Sequence, residues 1–181
     1  VTRQGVCMPE PLLLCVLPPG RLSAVEEIRA AGFTPVADLA RGWEGPVPPG
    51  AWVRARADGP VPGTGPVVLL DSDAPVAGRA TWMERPGPGE VPAGFAGVVL
   101  LGGDPAGMTG RFIEAVTSPE EASQAIARGA MGILVPEPGT ARRLAAFADA
   151  ALAGHAARAV QPELTALLRA ALSATRPEPP A

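Results

Sequence analysis

The chain has 181 residues, a formal net charge of -3, 23 prolines, 22 glycines and no lysine or tyrosine, so every basic side chain is arginine. That length predicts one domain with a substantial core. The acidic balance without a basic stripe argues against a nucleic-acid surface, and no apolar run is long enough to span a bilayer. The proline and glycine load approaches the level of disordered chains, yet 47% of residues are hydrophobic and fall in short dense runs. A folded domain with irregular connections is expected.

Residues 1–10 read as a flexible tail. A signal peptide is not expected, because Pro18-Pro19 interrupts the short apolar run where a cleavage site would lie. Leu12–Leu17 is the first predicted strand. Leu22–Ala31 follows as a helix with Leu22, Val25 and Ile28 on one face, Ser23 and Glu26 as a possible capping box and Gly32 as the stop. Thr34–Leu39 is the next strand, which makes residues 12–39 a βαβ unit. Cys7 and Cys15 are the only cysteines, one in the tail and one in a buried strand, so no disulfide is expected and a reducing cytoplasm fits.

The middle of the chain pairs strands without helices. Ala51–Ala57 and Pro66–Leu70 are joined by a stretch too short and too rich in breakers for a helix, and Ala80–Arg85 and Gly97–Leu101 repeat the arrangement. Residues 111–140 then give the clearest unit. FIEAV is a strand, Ser118 an N-cap with Pro119 at the first helical position and Glu121 at the third, and MGILV a strand buried on both faces. Helices are predicted over Thr140–Gly154 and Gln161–Ala174, before a disordered tail at 175–181.

Trp52, Trp82 and Phe112 recur at a spacing of 30 residues, and Arg54, Glu84 and Glu114 follow two positions later. The chain thus reads as about four β-x-β repeats. Eight parallel strands close into a barrel with a side-chain-filled interior. The predicted fold is therefore α/β, a reduced TIM-like (β/α)8 barrel over residues 11–174, with several outer helices replaced by Pro/Gly loops. The alternative is an open parallel sheet, and equal repeats favour closure. Missing helices would leave an exposed apolar wall that calls for a second copy or another protein as cover.

The run EAVTSPEEASQAIARGAMGILV resembles a segment of nitronate monooxygenase-like flavin barrels, in which a VTS-x-EEA helix lies between two strands. LLCVLPPGRLSAVEEIRAAGFTPVADLARG and AWVRARAD are similar to the opening of such domains attached to some polyketide synthases. The resemblance implies the scaffold and, as cofactor, flavin mononucleotide (FMN). In that family a glycine-rich loop after the second strand cradles the flavin phosphate. Here PEPGTARR stands in its place, and Pro136 and Pro138 lack the amide protons a cradle needs. The family's histidine is absent too. Gly102, Gly103 and Gly107 form a richer loop earlier in the chain and are the candidate cofactor-binding residues.

Barrel sites lie at the C-terminal ends of the strands. The polar residues expected there are Asp38, Arg56, Asp71, Asp73, Arg85, Asp104, Thr117 and Glu137, with Asp71, Asp104 and Glu137 as candidate catalytic groups. The competing reading makes these carboxylates turn formers. His155, the only histidine, reads as a helix-end residue, and one histidine with two distant cysteines makes no metal site. Arg54, Glu84 and Glu114 share a face with the aromatic residues two positions earlier. That face is either the interior, where the charges must pair, or the outside. The outside is favoured, because a small interior does not readily hold two tryptophans. Trp43, Trp52 and Trp82 would then form the surface for a homo-oligomer or a biosynthetic partner protein.

The expectation that follows is a degenerate flavin-barrel relative without cofactor, acting as a structural, docking or ligand-binding component of a polyketide or fatty-acid-like biosynthetic system. The alternatives are a small cofactor-free enzyme for proton transfer or cyclisation and a flavin-binding oxidoreductase.

Overall fold

A computed structural model describes residues 11–102, 105–108 and 110–153. Eight strands, β1 (Leu12–Leu17), β2 (Thr34–Asp38), β3 (Trp52–Arg56), β4 (Val67–Leu70), β5 (Thr81–Arg85), β6 (Gly97–Leu100), β7 (Phe112–Ala115) and β8 (Gly132–Val135), pair in chain order as a closed barrel. Every pairing is parallel. The seam closes where Leu12 lies opposite Gly132 and Leu14 opposite Leu134. Three helices accompany the strands: α1 (Ala24–Ala30), α2 (Pro119–Ala127) and α3 (Pro138–Ala153), with a 3-10 turn at Leu39–Arg41. The predicted tails at 1–10 and 175–181, and the predicted helix at 161–174, lie outside the described residues. Among those residues no helix is long and apolar enough to cross a membrane.

Strand alternation divides the side chains into an interior and an outer shell. Leu14, Val36, Trp52, Val68, Trp82, Val99, Ile113 and Leu134 pack together inside. Trp52 and Trp82 thus point inward, against the expectation that they cover the wall. Their ring centroids are 5.9 Å apart at a tilt of 34°. Room for them comes from a missing side chain. A Cβ on Gly97, the neighbour of Trp82 across β5 and β6, would come 2.3 Å from the Trp82 ring. Trp43 is also buried, among the outer-shell residues. None of the three tryptophans offers an exposed partner surface.

The 30-residue spacing does not preserve the face. Trp82 is the second residue of β5, whereas Phe112 is the first residue of β7 and pairs with outward-facing Val98. Ile113 therefore takes the inward position in β7, and Phe112 packs outside with Val98 and Leu100. A shift of one residue turns a strand's whole pattern over.

The helices cover one sector of the ring. Leu13, Cys15 and Leu17 from β1 meet Val25 and Ile28 of α1, Ala122 and Ala125 of α2, and Leu144 of α3. Between β3 and β7 no helix occurs among the described residues. The wall there is nevertheless buried. Val53, Ala55, Val67 and Leu69 are almost fully enclosed, with Leu39, Val47, Val61 and Val76 folded over them. Val91 and Met108 do the same for Val98 and Leu100. The expected bare apolar wall is absent from these sectors because the Pro/Gly loops themselves supply its cover.

Arginine fixes that cover. Arg79, in the β4–β5 connection, donates from Nε to the Gly65 carbonyl at 2.7 Å and from Nη1 to the carbonyls of Val61 and Pro62 at 3.0 and 3.1 Å. Arg85 Nη1 donates to the Glu90 carbonyl at 2.9 Å, and Arg29 reaches from α1 to the Pro49 carbonyl. The helix starts are set locally as well. Ser118 Oγ accepts from the Glu121 amide at 3.2 Å, and Glu121 reaches back to the Thr117 amide at 2.6 Å, one residue beyond the usual capping-box partner. Ser23, by contrast, has helical backbone angles and makes no side-chain cap bond, so the expected box at α1 does not form.

Candidate functional site

The C-terminal ends of the strands form one mouth of the barrel, where sites of this architecture are built. Asp38 ends β2, and Arg54 lies beside it in β3. Both point inward and are buried. Arg54 Nη1 donates to both Asp38 oxygens at 2.9 and 3.0 Å. Its Nε and Nη2 donate to the two oxygens of Glu84, in β5, at 2.6 and 2.7 Å. One guanidinium on β3 thus holds two carboxylates from β2 and β5, a pairing that buried charges require. Hydrogen bonding to Glu84 raises the Arg54 pKa above its already high usual value, burial opposes this, and Asp38 adds to the rise.

Of the three charges predicted to share a cluster, Arg54 and Glu84 meet inside. Glu114 does not. The same frame change that turns Phe112 outward carries Glu114 with it, and its Oε1 accepts from Arg128 Nη2 at 2.6 Å, while its Oε2 is buried without a hydrogen-bond partner among the described residues. Asp38 takes its place in the interior cluster. Its position at a strand end was visible in the sequence, but its partner was not, because the two residues become neighbours only through strand pairing.

Two pockets open at this mouth and share Asp38, Arg41 and Pro136. The smaller, of about 160 Å³, runs between Arg54, Leu101, Ala115, Thr117 and Leu134. The larger is a cleft of about 790 Å³ between the β1–α1 connection, the 3-10 turn and the start of α3. Arg21, Arg41, Arg142 and Arg143 line it, against Glu27, Asp38 and Glu137. Arg142 is paired with Glu27, and Arg143 stands 3.9 Å from Glu137. Arg41 lies 3.9 Å from Asp38, whose oxygens are already engaged by Arg54. The four arginines exceed the three carboxylates, so the cleft favours an anion. None of the four was singled out in the sequence, since they come from three separated segments.

The other predicted residues are dispersed. Asp71 follows β4, is exposed and adopts a left-handed backbone with φ of 53°. Aspartate tolerates this geometry, and the Ser72 hydroxyl closes a turn on Ala74. Glu137 follows β8. In a ring of eight strands β4 and β8 are diametrically placed, so Asp71 and Glu137 leave the barrel on opposite sides of the mouth. Asp104, Gly103 and His155 lie outside the described residues. Asp73 is exposed, Arg56 ends β3 at an exposed rim, and Arg85 is occupied by Glu90. Among the described residues no group of three or more histidine, cysteine, aspartate or glutamate side chains could hold a metal.

Among the described residues, the turn after β8 does not offer a run of backbone amides for a flavin phosphate. Pro136 and Pro138 bracket the turn after β8 and bring no N–H. The φ of 89° at Gly107 is that of a turn glycine.

No protein-family model, curated protein or solved structure matches the chain.

Proposed function

We propose that this chain is a ligand-binding barrel, a nitronate monooxygenase-like scaffold that holds an organic anion without oxidising it, in a polyketide or fatty-acid-like biosynthetic system of the cytoplasm. The observation that carries the binding role is the arginine-lined cleft of about 790 Å³ at the C-terminal mouth. Its size suits a small metabolite, and its guanidiniums recognise carboxylate or phosphate. The biosynthetic setting and the scaffold's kinship rest on VTSPEEA and the N-terminal unit. In this reading the barrel is a reduction of about four β-x-β repeats.

A docking role through a bare wall has less support, since loops cover β3 to β6. A second reading, cofactor-free proton transfer, rests on Asp38 and Arg54 lining the smaller pocket. Calorimetric titration with a medium-chain acyl carboxylate, an acyl phosphate analogue and FMN separates these readings. Binding of an acyl anion, weakened about tenfold or more by Arg21→Ala combined with Arg41→Ala, is expected from the loss of charge-assisted bonds. Tight FMN binding with a yellow protein, or turnover of the acyl probe, overturns the proposal.

A further inference from the structure

Most of the positive charge in the arginine cleft is already committed. Inside the mouth, Arg54 is one cation against the two carboxylates of Asp38 and Glu84, which leaves one negative charge over. Arg41 answers it. Its backbone amide donates to Asp38 Oδ1 at 3.2 Å and its guanidinium stands 3.9 Å from Oδ2, so the 3-10 turn is tied to the carboxylate it balances. At the start of α3, Arg142 pairs with Glu27. Arg143 faces Glu137 at 3.9 Å and donates from Nη2 to the Thr140 hydroxyl at 3.1 Å. Arg21 is left. It lines the cleft with its side chain exposed and, among the described residues, without an ion pair or a hydrogen bond.

We infer that the cleft takes a monocarboxylate in preference to a dicarboxylate, and that Arg21 is the residue that anchors its one charge. This rests on the anion-binding reading above and adds the valence of the ligand and the residue that sets it. With the buried Arg54 and Glu84 counted in, Arg21, Arg41, Arg54, Arg142 and Arg143 stand against Glu27, Asp38, Glu84 and Glu137, so one positive charge is uncompensated. A guanidinium presents two parallel N–H groups that fit the two oxygens of one carboxylate. Recruiting Arg21 breaks no side-chain contact of the fold, whereas recruiting Arg41 takes the counter-charge from Asp38. A second ionised group on the same ligand finds the other cations engaged. It gives up water and meets Glu27 or Glu137, where like charge disfavours it.

The test is calorimetric titration of the full chain at pH 8 with octanoate and with suberate, a chain of the same length carrying a carboxylate at both ends. Octanoate is expected to bind about tenfold more tightly than suberate. Arg21→Ala should weaken octanoate about tenfold or more with the urea midpoint unchanged. Arg41→Ala should weaken it by less than about threefold while lowering the midpoint, because Arg41 serves the buried charges. Glu137→Gln, at an exposed position, releases Arg143 and adds a second uncompensated positive charge, so suberate should then match or exceed octanoate. Three results overturn the inference and leave the anion cleft standing: suberate binding the unaltered chain as tightly as octanoate, equal losses of octanoate binding in Arg21→Ala and Arg41→Ala, or no gain for suberate in Glu137→Gln. Failure of both acids to bind removes the anion-binding reading itself and the inference with it.

Discussion

Arg54 shares a single positive charge between two carboxylates, and the three side chains are nearly removed from solvent. Cutting it back to alanine leaves Glu84 without its partner and Asp38 with only the exposed Arg41, 3.9 Å away, as counter-ion. Arg54→Ala should therefore lose about 3–5 kcal/mol of stability, the usual cost of orphaning a buried ion, measured by urea denaturation. Arg54→Lys should recover only part of it, because an ammonium cannot present the fork that serves both partners. Cys15 makes a different prediction. Burial first, with the charges of Glu27 and Glu137 behind it, pushes its thiol up to about 12 from 9.0. The folded state then keeps its proton after the unfolded state has lost it, so stability falls as pH rises between about 9 and 12. The slope approaches ~1.4 kcal/mol per pH unit. In a Cys7→Ser background, urea midpoints between pH 8 and 10.5 should show that fall, and Cys15→Ala should flatten it.

At the level of elements, connections take over work that helices do in a regular (β/α)8 barrel. The β3–β4 connection is held by three carbonyls on one guanidinium, and it keeps Val61 over Val53 and Val67. Arg79→Ala should cost about 2–3 kcal/mol, in the range for hydrogen bonds from a charged donor. It should also raise the binding of a hydrophobic dye and open residues 57–66 to thermolysin. If stability and proteolysis both stay unchanged, the connection is not held in this way. The strands were legible in the sequence because each is a dense apolar run between breakers, and the helix after Ser118 was legible from its cap. Their facing was not. Whether Phe112 or Ile113 points inward depends on a one-residue offset between neighbouring strands, and the regular spacing of aromatics concealed it. Gly97 shows the same limit from the other side. It reads as an ordinary strand-entry glycine until Trp82 is seen lying over it.

For the molecule as a whole, closure joins β1 to β8 and leaves no strand edge. The count of eight strands pointed to closure, while the meeting of Asp38, Arg54 and Glu84 depended on contacts far apart along the chain. The arginine cleft was hidden for the same reason. Its members come from the first connection, the turn after β2 and the start of α3, none of which has a motif of its own. One consequence follows from the Pro/Gly cover on the helix-poor side. Proline carries no amide hydrogen, and it enters the native state with less backbone freedom to lose. In deuterium exchange the amides that the cover does carry should exchange quickly, while β3 to β6 beneath it retain hydrogen for as long as the ring stays shut. A shell that looks mobile by that measure would be guarding the slowest-exchanging part of the protein.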